Sequence, residues 1–186
     1  MISRCPWCKS DPLYVQYHDE EWGKPVHEDR VLFEFLILEG MQAGLSWLTI
    51  LRRREGYREA FLNFDPKKVA LFGAAELEAL VQNPKIIRHR GKIRAAINNA
   101  HRFLSVQQEF GSFDRYLWQF TEGKTIQNRW ERHEEVPCQT AISDKMAKDL
   151  KKRGFQFVGT KICYSLMQAI GMVNDHLISC DQHSLK

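Results

Sequence analysis

Long apolar runs are missing from this chain of 186 residues. No stretch approaches the roughly 20 apolar residues of a membrane span, and Met1 to Asp11 holds no apolar core of the kind an export signal needs. The expectation is a soluble, cytoplasmic protein with no membrane partner. A disulfide framework is excluded too. Five cysteines, Cys5, Cys8, Cys138, Cys163 and Cys180, are an odd number scattered along the chain, so reduced thiols or metal ligands are expected. There is no internal repeat, no low-complexity tract and no linker rich in Gly, Pro or Ser. Strand-like alternation is almost absent. Charge of one sign is scarce as well, since 27 basic against 23 acidic side chains leave a formal charge of only +4.

What is present is apolar material, 44% of the residues, set at helical spacing. Leu32, Phe35, Leu36 and Glu39 share one face of a helix over 28–38, with Gly40 placed to end it. Residues 46–61 read as one helix, with Leu48, Ile50 and Leu51 apolar and Arg52-Arg53-Arg54 on the other side. Asp65-Pro66 caps a short helix reaching Ala70, and 75–82 forms another. Helices are expected over 92–108, from Ser143-Asp144 to a stop at Gly154, and over 160–173, whereas 122–139 reads as loop. The fold class is therefore all-α and compact. Basic residues gather at Arg52-Arg53-Arg54, at Arg88 to Arg94, and at Lys148, Lys151, Lys152 and Arg153, patches that suit a polyanion or, equally, solvated helix faces.

Three groups of residues can carry chemistry. Cys5 and His18 near one end (C-x12-H), with His176 and Cys180 near the other (H-x3-C), offer four ligands for a closed, structural zinc site. Cys8 and His183 are rival ligands, and a buried cysteine is often a small hydrophobe. The Cys5-Pro6-Trp7-Cys8 pair resembles a thiol–disulfide motif, but no strand can precede it, as that use requires. Trp7, Tyr14, Tyr17, Trp22 and Trp47 crowd into a polar segment with no apolar face for them to serve. Such rings suit a pocket for a flat base. Glu39 is either a carboxylate facing the core at a helix C-terminus, where two penalties imply a purpose, or the frayed end of a helix pointing into water.

Taken in order, RCPW, DPLYVQYHDEEWG, LILEGMQAGLSWLTILRRREGYREAF, FDPKKVA, IIRHRGKIRAAINNA, LKKRGFQFVGTKICYSLMQAIGMVNDH and Cys180 resemble the 3-methyladenine DNA glycosylase I family of the helix-hairpin-helix glycosylase superfamily. They cover nearly the whole chain. The resemblance implies one glycosylase unit over 1–186, with a terminal zinc-bound helical part packed on a hairpin-containing part over 60–140. It implies zinc on Cys5, His18, His176 and Cys180, and a base pocket of Trp7, Tyr14, Tyr17, Trp22, Glu39 and Trp47. The activity implied is excision of 3-methyladenine from double-stranded alkylated DNA, with the free base as product and no obligate protein partner. Glu39 and Tyr17 would bind the edge of the flipped base. Leu45 would be the wedge into the gap it leaves, or else an ordinary core leucine opening the next helix, Gln42 would be a further DNA contact, and Arg88, Arg90, Gly91 and Lys92 would grip phosphate. That turn lacks the superfamily's L-P-G-V-G pattern, no aspartate stands where the superfamily usually has one after the hairpin, and no lysine presents itself as a Schiff-base nucleophile. A monofunctional enzyme is therefore expected, its rivals being a zinc-stabilised DNA-binding protein without activity and a Cys-x-x-Cys oxidoreductase.

Overall fold

Side-chain caps set many helix boundaries in the computed structural model, which describes residues 2–8 and 11–183. Asp11 accepts from the N–H groups of Leu13 and Tyr14 and, with proline next, opens α1 (Pro12–Glu20). Asp65 and Pro66 repeat the device at α5 (Pro66–Val69). In both, the carboxylate satisfies orphan donors and proline supplies a fixed φ where no N–H is needed. Apolar periodicity does not find α1, which lacks an apolar stripe; the cap is the signal that does.

The central helix α2 (Asp29–Gln42) is buried continuously from Leu32 to Met41. Gly40 does not end it, as the sequence suggested. It lies inside the helix, where an added Cβ would sit 3.4 Å from Cβ of Phe157, so the glycine serves close packing. The helix stops after Gln42, and Gly44, with φ +78°, turns the chain toward Ser46. The single helix expected over 46–61 is two, α3 (Trp47–Leu51) and α4 (Arg54–Ala60), broken at Arg52–Arg53. At this break Arg54 is turned inward rather than toward solvent. Its Nε donates to Glu34 at 2.6 Å and its Nη1 to Glu21 at 2.7 Å, and Arg58 reaches the same Glu34 oxygen at 2.9 Å. A buried carboxylate needs such partners, so Arg54 is committed to the fold and not to a polyanion.

α6 (Ala74–Gln82) and α7 (Arg90–Phe110) form one helix–turn–helix pair. α8 (Phe113–Trp118) is pinned to the start of α2, because Asp29 accepts from the N–H groups of Phe113 and Asp114 at 2.8 Å each. α9 (Ala141–Lys152) begins before the Ser143-Asp144 start read from the sequence. Thr140 is its cap, and Ser143 Oγ accepts from the Thr140 N–H at 2.8 Å, a reciprocal capping arrangement. α9 and α10 (Thr160–Ala169) form a second helix–turn–helix pair.

The helix expected to reach Val173 ends at Ala169. Gly171 adopts φ +73° and Met172 N–H donates back to the Met167 carbonyl at 2.9 Å, a left-handed C-terminal closure. Val173–Asn174 (β2) then pairs in parallel with Ile126–Gln127 (β1) inside the expected loop region. The class remains all-α, and among the described residues no helix is long and apolar enough to cross a membrane. A Cβ at Gly171 would lie 2.3 Å from the Lys24 carbonyl carbon. Gly171→Ala is expected to lose about 3 kcal/mol or more of stability from combined strain and overlap, measured by denaturant unfolding; an unchanged midpoint would refute the packing argument.

Candidate active site and metal cluster

The two ends of the chain meet. Ser3 and Asp181 exchange two hydrogen bonds, from Ser3 N–H to the Asp181 carboxylate at 2.8 Å and from Asp181 N–H to the Ser3 carbonyl at 2.9 Å. Beside them Cys5, His18, His176 and Cys180 are all buried, with ligand atoms within 4.8 Å of one another. Cys180 Sγ lies 3.5 Å from His18 Nε2 and 3.5 Å from His176 Nδ1, and Cys5 Sγ lies 3.7 Å from His176 Nδ1. Metal–sulfur bonds of about 2.3 Å and metal–nitrogen bonds of about 2.0–2.1 Å meeting at tetrahedral angles give an S···N edge near 3.6 Å. The cluster could thus hold a metal ion.

Neighbouring groups hold these four side chains in place. His18 Nδ1 contacts Asp19 at 2.7 Å, Asp19 is gripped by Arg4 at 2.7 Å, and His176 Nε2 meets the Trp22 carbonyl at 3.0 Å. Such partners fix which imidazole nitrogen faces the centre. Leu177 and Gln182 N–H groups each point at a cysteine sulfur, at 3.4 Å. Within the cluster the Cys5 hydrogen bond pulls the Cys180 thiol below its ordinary value, while the Cys180 contact and burial push Cys5 up. The rivals stand outside. Cys8 Sγ donates to the Cys5 carbonyl at 3.2 Å, and His183 Nε2 meets the Asn128 carbonyl at 2.9 Å.

The Cys/His cluster abuts an aromatic cavity of about 170 Å³, which suits one nucleobase better than a drug-sized molecule. The short helical turn Pro6–Cys8 delivers Trp7, α1 delivers Tyr14 and Tyr17, and α3 opens with Trp47. Trp7 packs edge-on against Tyr14 and Trp22 with centroids 4.9 Å apart in each pair, and Tyr17 lies 5.5 Å from Trp47. Trp22 also packs against His176 at 4.7 Å, so one ring serves both pocket and cluster. Glu39 enters from the last turn of α2, 3% exposed. Burial pushes its carboxyl up to about 8. Tyr17 is raised too, first by burial and then by Glu39. Among the described residues the buried side-chain polar atoms lacking a hydrogen-bond partner are Trp7 Nε1, Trp47 Nε1 and Glu39 Oε2, and all three residues line this cavity. Unpaired buried donors and acceptors are penalised in a stable fold. Two indole donors and one carboxyl oxygen left open around one space are instead complementary to a polar, planar ligand.

The opposite wall contains residues that sequence reasoning did not find: His133, Val136, Ser165, Gln168, Asp175 and Leu177. The β1–β2 pairing brings the first two beside the last two. Asp175 is the hub of this wall. It accepts from Asn128 at 2.7 Å, Trp130 at 2.8 Å, Tyr164 at 2.6 Å and Gln168 at 2.9 Å. A buried aspartate next to a candidate ligand, in VNDH, was a usable signal; nothing in the sequence marks His133.

The residues read as facing DNA divide. Gln42 lines the cavity and Leu45, 39% exposed, stands at the tip of the turn that follows. Arg88 and Gly91 are exposed. Arg90 is held by Glu78 at 2.7 Å. Lys92 is the correction, because its side chain is buried and turned inward. Its Nζ donates to the Met41 carbonyl at 2.9 Å and to that of Ala43, so it is not free to grip phosphate.

Known proteins match along almost the whole chain. A family profile described as methyladenine glycosylase matches residues 7–183. A relative from Escherichia coli (strain K12), DNA-3-methyladenine glycosylase 1, is 50% identical over 96% of both chains. Among solved structures, a crystal structure of 3-methyladenine DNA glycosylase I superposes with a TM-score of 0.95 at 50% identity, covering 97% of this chain and 100% of that one. The Staphylococcus aureus enzyme, studied for its recognition of 3-methyladenine, gives 0.94 at 38% identity over 97% of this chain and 96% of its own.

Proposed function

The chain belongs to the methyladenine glycosylase family, and from that premise we infer that it hydrolyses the N-glycosidic bond of 3-methyladenine in alkylated double-stranded DNA, releasing the base and leaving an abasic site. The observation that carries this reading is the convergence of Trp7 Nε1, Trp47 Nε1 and Glu39 Oε2, all buried and unpartnered, on one small aromatic cavity. Methylation at N3 gives adenine a delocalised positive charge and weakens its bond to the sugar. Stacking on the surrounding rings adds about 0.5–2 kcal/mol of cation–π attraction. A neighbouring cation also favours the ionised form of a buried carboxyl, so as the lesion enters Glu39 releases its proton to solvent water and the resulting carboxylate–cation pair holds the base. A neutral base offers Glu39 no such partner, and this selects the lesion. Tyr17 is assigned to the base edge beside Glu39. Asp175, with four donors on its two oxygens, shapes the far wall. No lysine lines the cavity among the described residues, which supports hydrolysis without a Schiff base.

The same reading assigns Leu45 as the wedge and Gln42 as its neighbour in the gap left by the flipped nucleotide. Phosphate is assigned to two helix starts, α7 at Arg90–Gly91 with Arg88, and α10 at Thr160–Lys161, whose helix continues to Ser165 and Gln168 in the cavity lining. The division into a terminal part and a part over 60–140 rests on the meeting of the chain ends, since Cys5 and Cys180 belong to one cluster while α6 and α7 form a separate helix pair. We assign the cluster to one zinc ion, for which two sulfurs and two imidazoles at tetrahedral spacing are the preferred donors. When bound it supplies a cross-link between the chain ends. All four positions are filled by protein, so it takes no part in hydrolysis.

The test is chromatographic analysis of bases released from methylated duplex DNA by the purified protein. Release of 3-methyladenine with little 7-methylguanine is expected. Folded protein that binds this DNA and releases nothing would favour the non-enzymatic DNA-binding reading and reject the enzyme.

A further inference from the structure

The ammonium of Lys92 stands out. It comes from the first turn of α7, is 7% exposed, and forms no ion pair among the described residues. Burial pulls it below its ordinary value. An uncompensated buried ammonium is unfavourable unless its donors are well used. They are used on two carbonyls, Met41 and Ala43, which bracket Gln42 at the C-terminus of α2. Cations are favoured at such an end, where carbonyls lack helical partners. On the neighbouring face, Phe157 of the α9–α10 turn packs on Gly40. It adopts φ +54°, an uncommon conformation for a non-glycine residue. The last turn of α2 is therefore clamped from both helix–turn–helix pairs.

We infer that Lys92 is a positioning residue for base flipping: it fixes the 42–46 turn so that Gln42 and Leu45 enter the duplex while Glu39 stays in the pocket. The assignment rests on the glycosylase reading above. It differs from a phosphate contact, because Lys92 acts through the turn and never touches DNA. A duplex grip formed at Arg88–Gly91 is transmitted directly to the wedge, since Lys92 is the next residue along the same helix.

The test compares full-length wild type with Lys92→Met in three assays. These are affinity for free 3-methyladenine, single-turnover excision from a fully paired duplex, and excision of the same lesion placed in an unpaired bulge. Free-base affinity within about twofold of wild type is expected, with a loss of roughly 10- to 100-fold on paired duplex, the scale of a misplacement of about 1 Å. Most of that loss should vanish on the bulge, where little flipping work remains. In a Leu45→Ala background, Lys92→Met should add little, since residues acting through one element are not additive. Unchanged excision from paired duplex overturns the inference. An equal loss in all three assays overturns it too, as that marks general destabilisation. Should the methionine variant fail to fold, Lys92→Gln keeps one donor and is expected to show a smaller loss of the same pattern; wild-type behaviour there also refutes the role. Failure of the underlying reading looks different, because wild type itself would then neither bind nor release 3-methyladenine.

Discussion

Glu39→Gln is expected to lower single-turnover excision of 3-methyladenine by roughly 100- to 1000-fold, the usual effect of removing one electrostatic contact to a reacting group, while making the protein more stable at alkaline pH. Glutamine keeps the shape and an acceptor oxygen but cannot supply the charge that a cationic base calls for. The stability effect follows from proton linkage. Burial holds the Glu39 carboxyl at about 8 in the folded chain against 4.5 as its ordinary value. Between those values the folded state keeps a proton that the unfolded chain has given up. Stability from this group is thus greatest below about pH 4.5, declines as pH rises through the window, and levels off above about pH 8. The decline amounts to at most about 5 kcal/mol. The variant lacks it, so the difference in melting temperature between variant and wild type should widen from pH 5 to pH 8. A variant with wild-type excision, or a difference that does not change with pH, would refute the role given to Glu39. Strain retained at a working site in exchange for activity is a common pattern.

The second large effect concerns the Cys/His cluster proposed to hold zinc. Cys180→Ser and Cys5→Ser are each expected to abolish stoichiometric zinc and to lower stability by on the order of 4 kcal/mol or more. For a chain of this length that corresponds to a fall in melting temperature of about 10 °C or more. A chelator should act likewise on wild type, with recovery on adding zinc. Cys8→Ser should keep its metal and melt as wild type does, because its thiol reaches only the Cys5 carbonyl. Elemental analysis decides the matter. If Cys8→Ser loses the ion and Cys5→Ser retains it, the ligand assignment is wrong.

The parts of this molecule that were legible in the sequence share a physical character. Caps such as Asp65-Pro66 and stops such as Gly154 act over a few residues, so they can be read without the fold. Cysteine and histidine spacing narrowed the candidate ligands to a short choice, and only the packing of the ends placed Cys5 rather than Cys8 beside His18, His176 and Cys180. The aromatic pocket was visible as a misfit, rings without an apolar face. What escaped depends on distant contacts. Gly40 looks like a helix stop until Phe157 is seen against it. Arg54 reads as a solvated base until Glu21 and Glu34 close on it. Lys92 reads as a phosphate contact until the carbonyls of Met41 and Ala43 appear within its reach. His133 and Val136 join the site only because β1 pairs with a strand some 47 residues later (Ile126 with Val173), which no local pattern announces.

The closure of the chain ends also orders events during synthesis. Cys5 and His176 are separated by 171 residues, about 10–30 s of translation at 5–20 residues per second. Until His176 and Cys180 have left the ribosome, the amino-terminal half of the cluster has no partner and Trp22 has no His176 to lean on. Asp175 and Leu177, which also line the cavity, arrive in the same stretch as His176. A nascent chain therefore carries Trp7, Tyr14, Trp22, Trp47 and Glu39 before the residues that complete the lining of their shared cavity have been made.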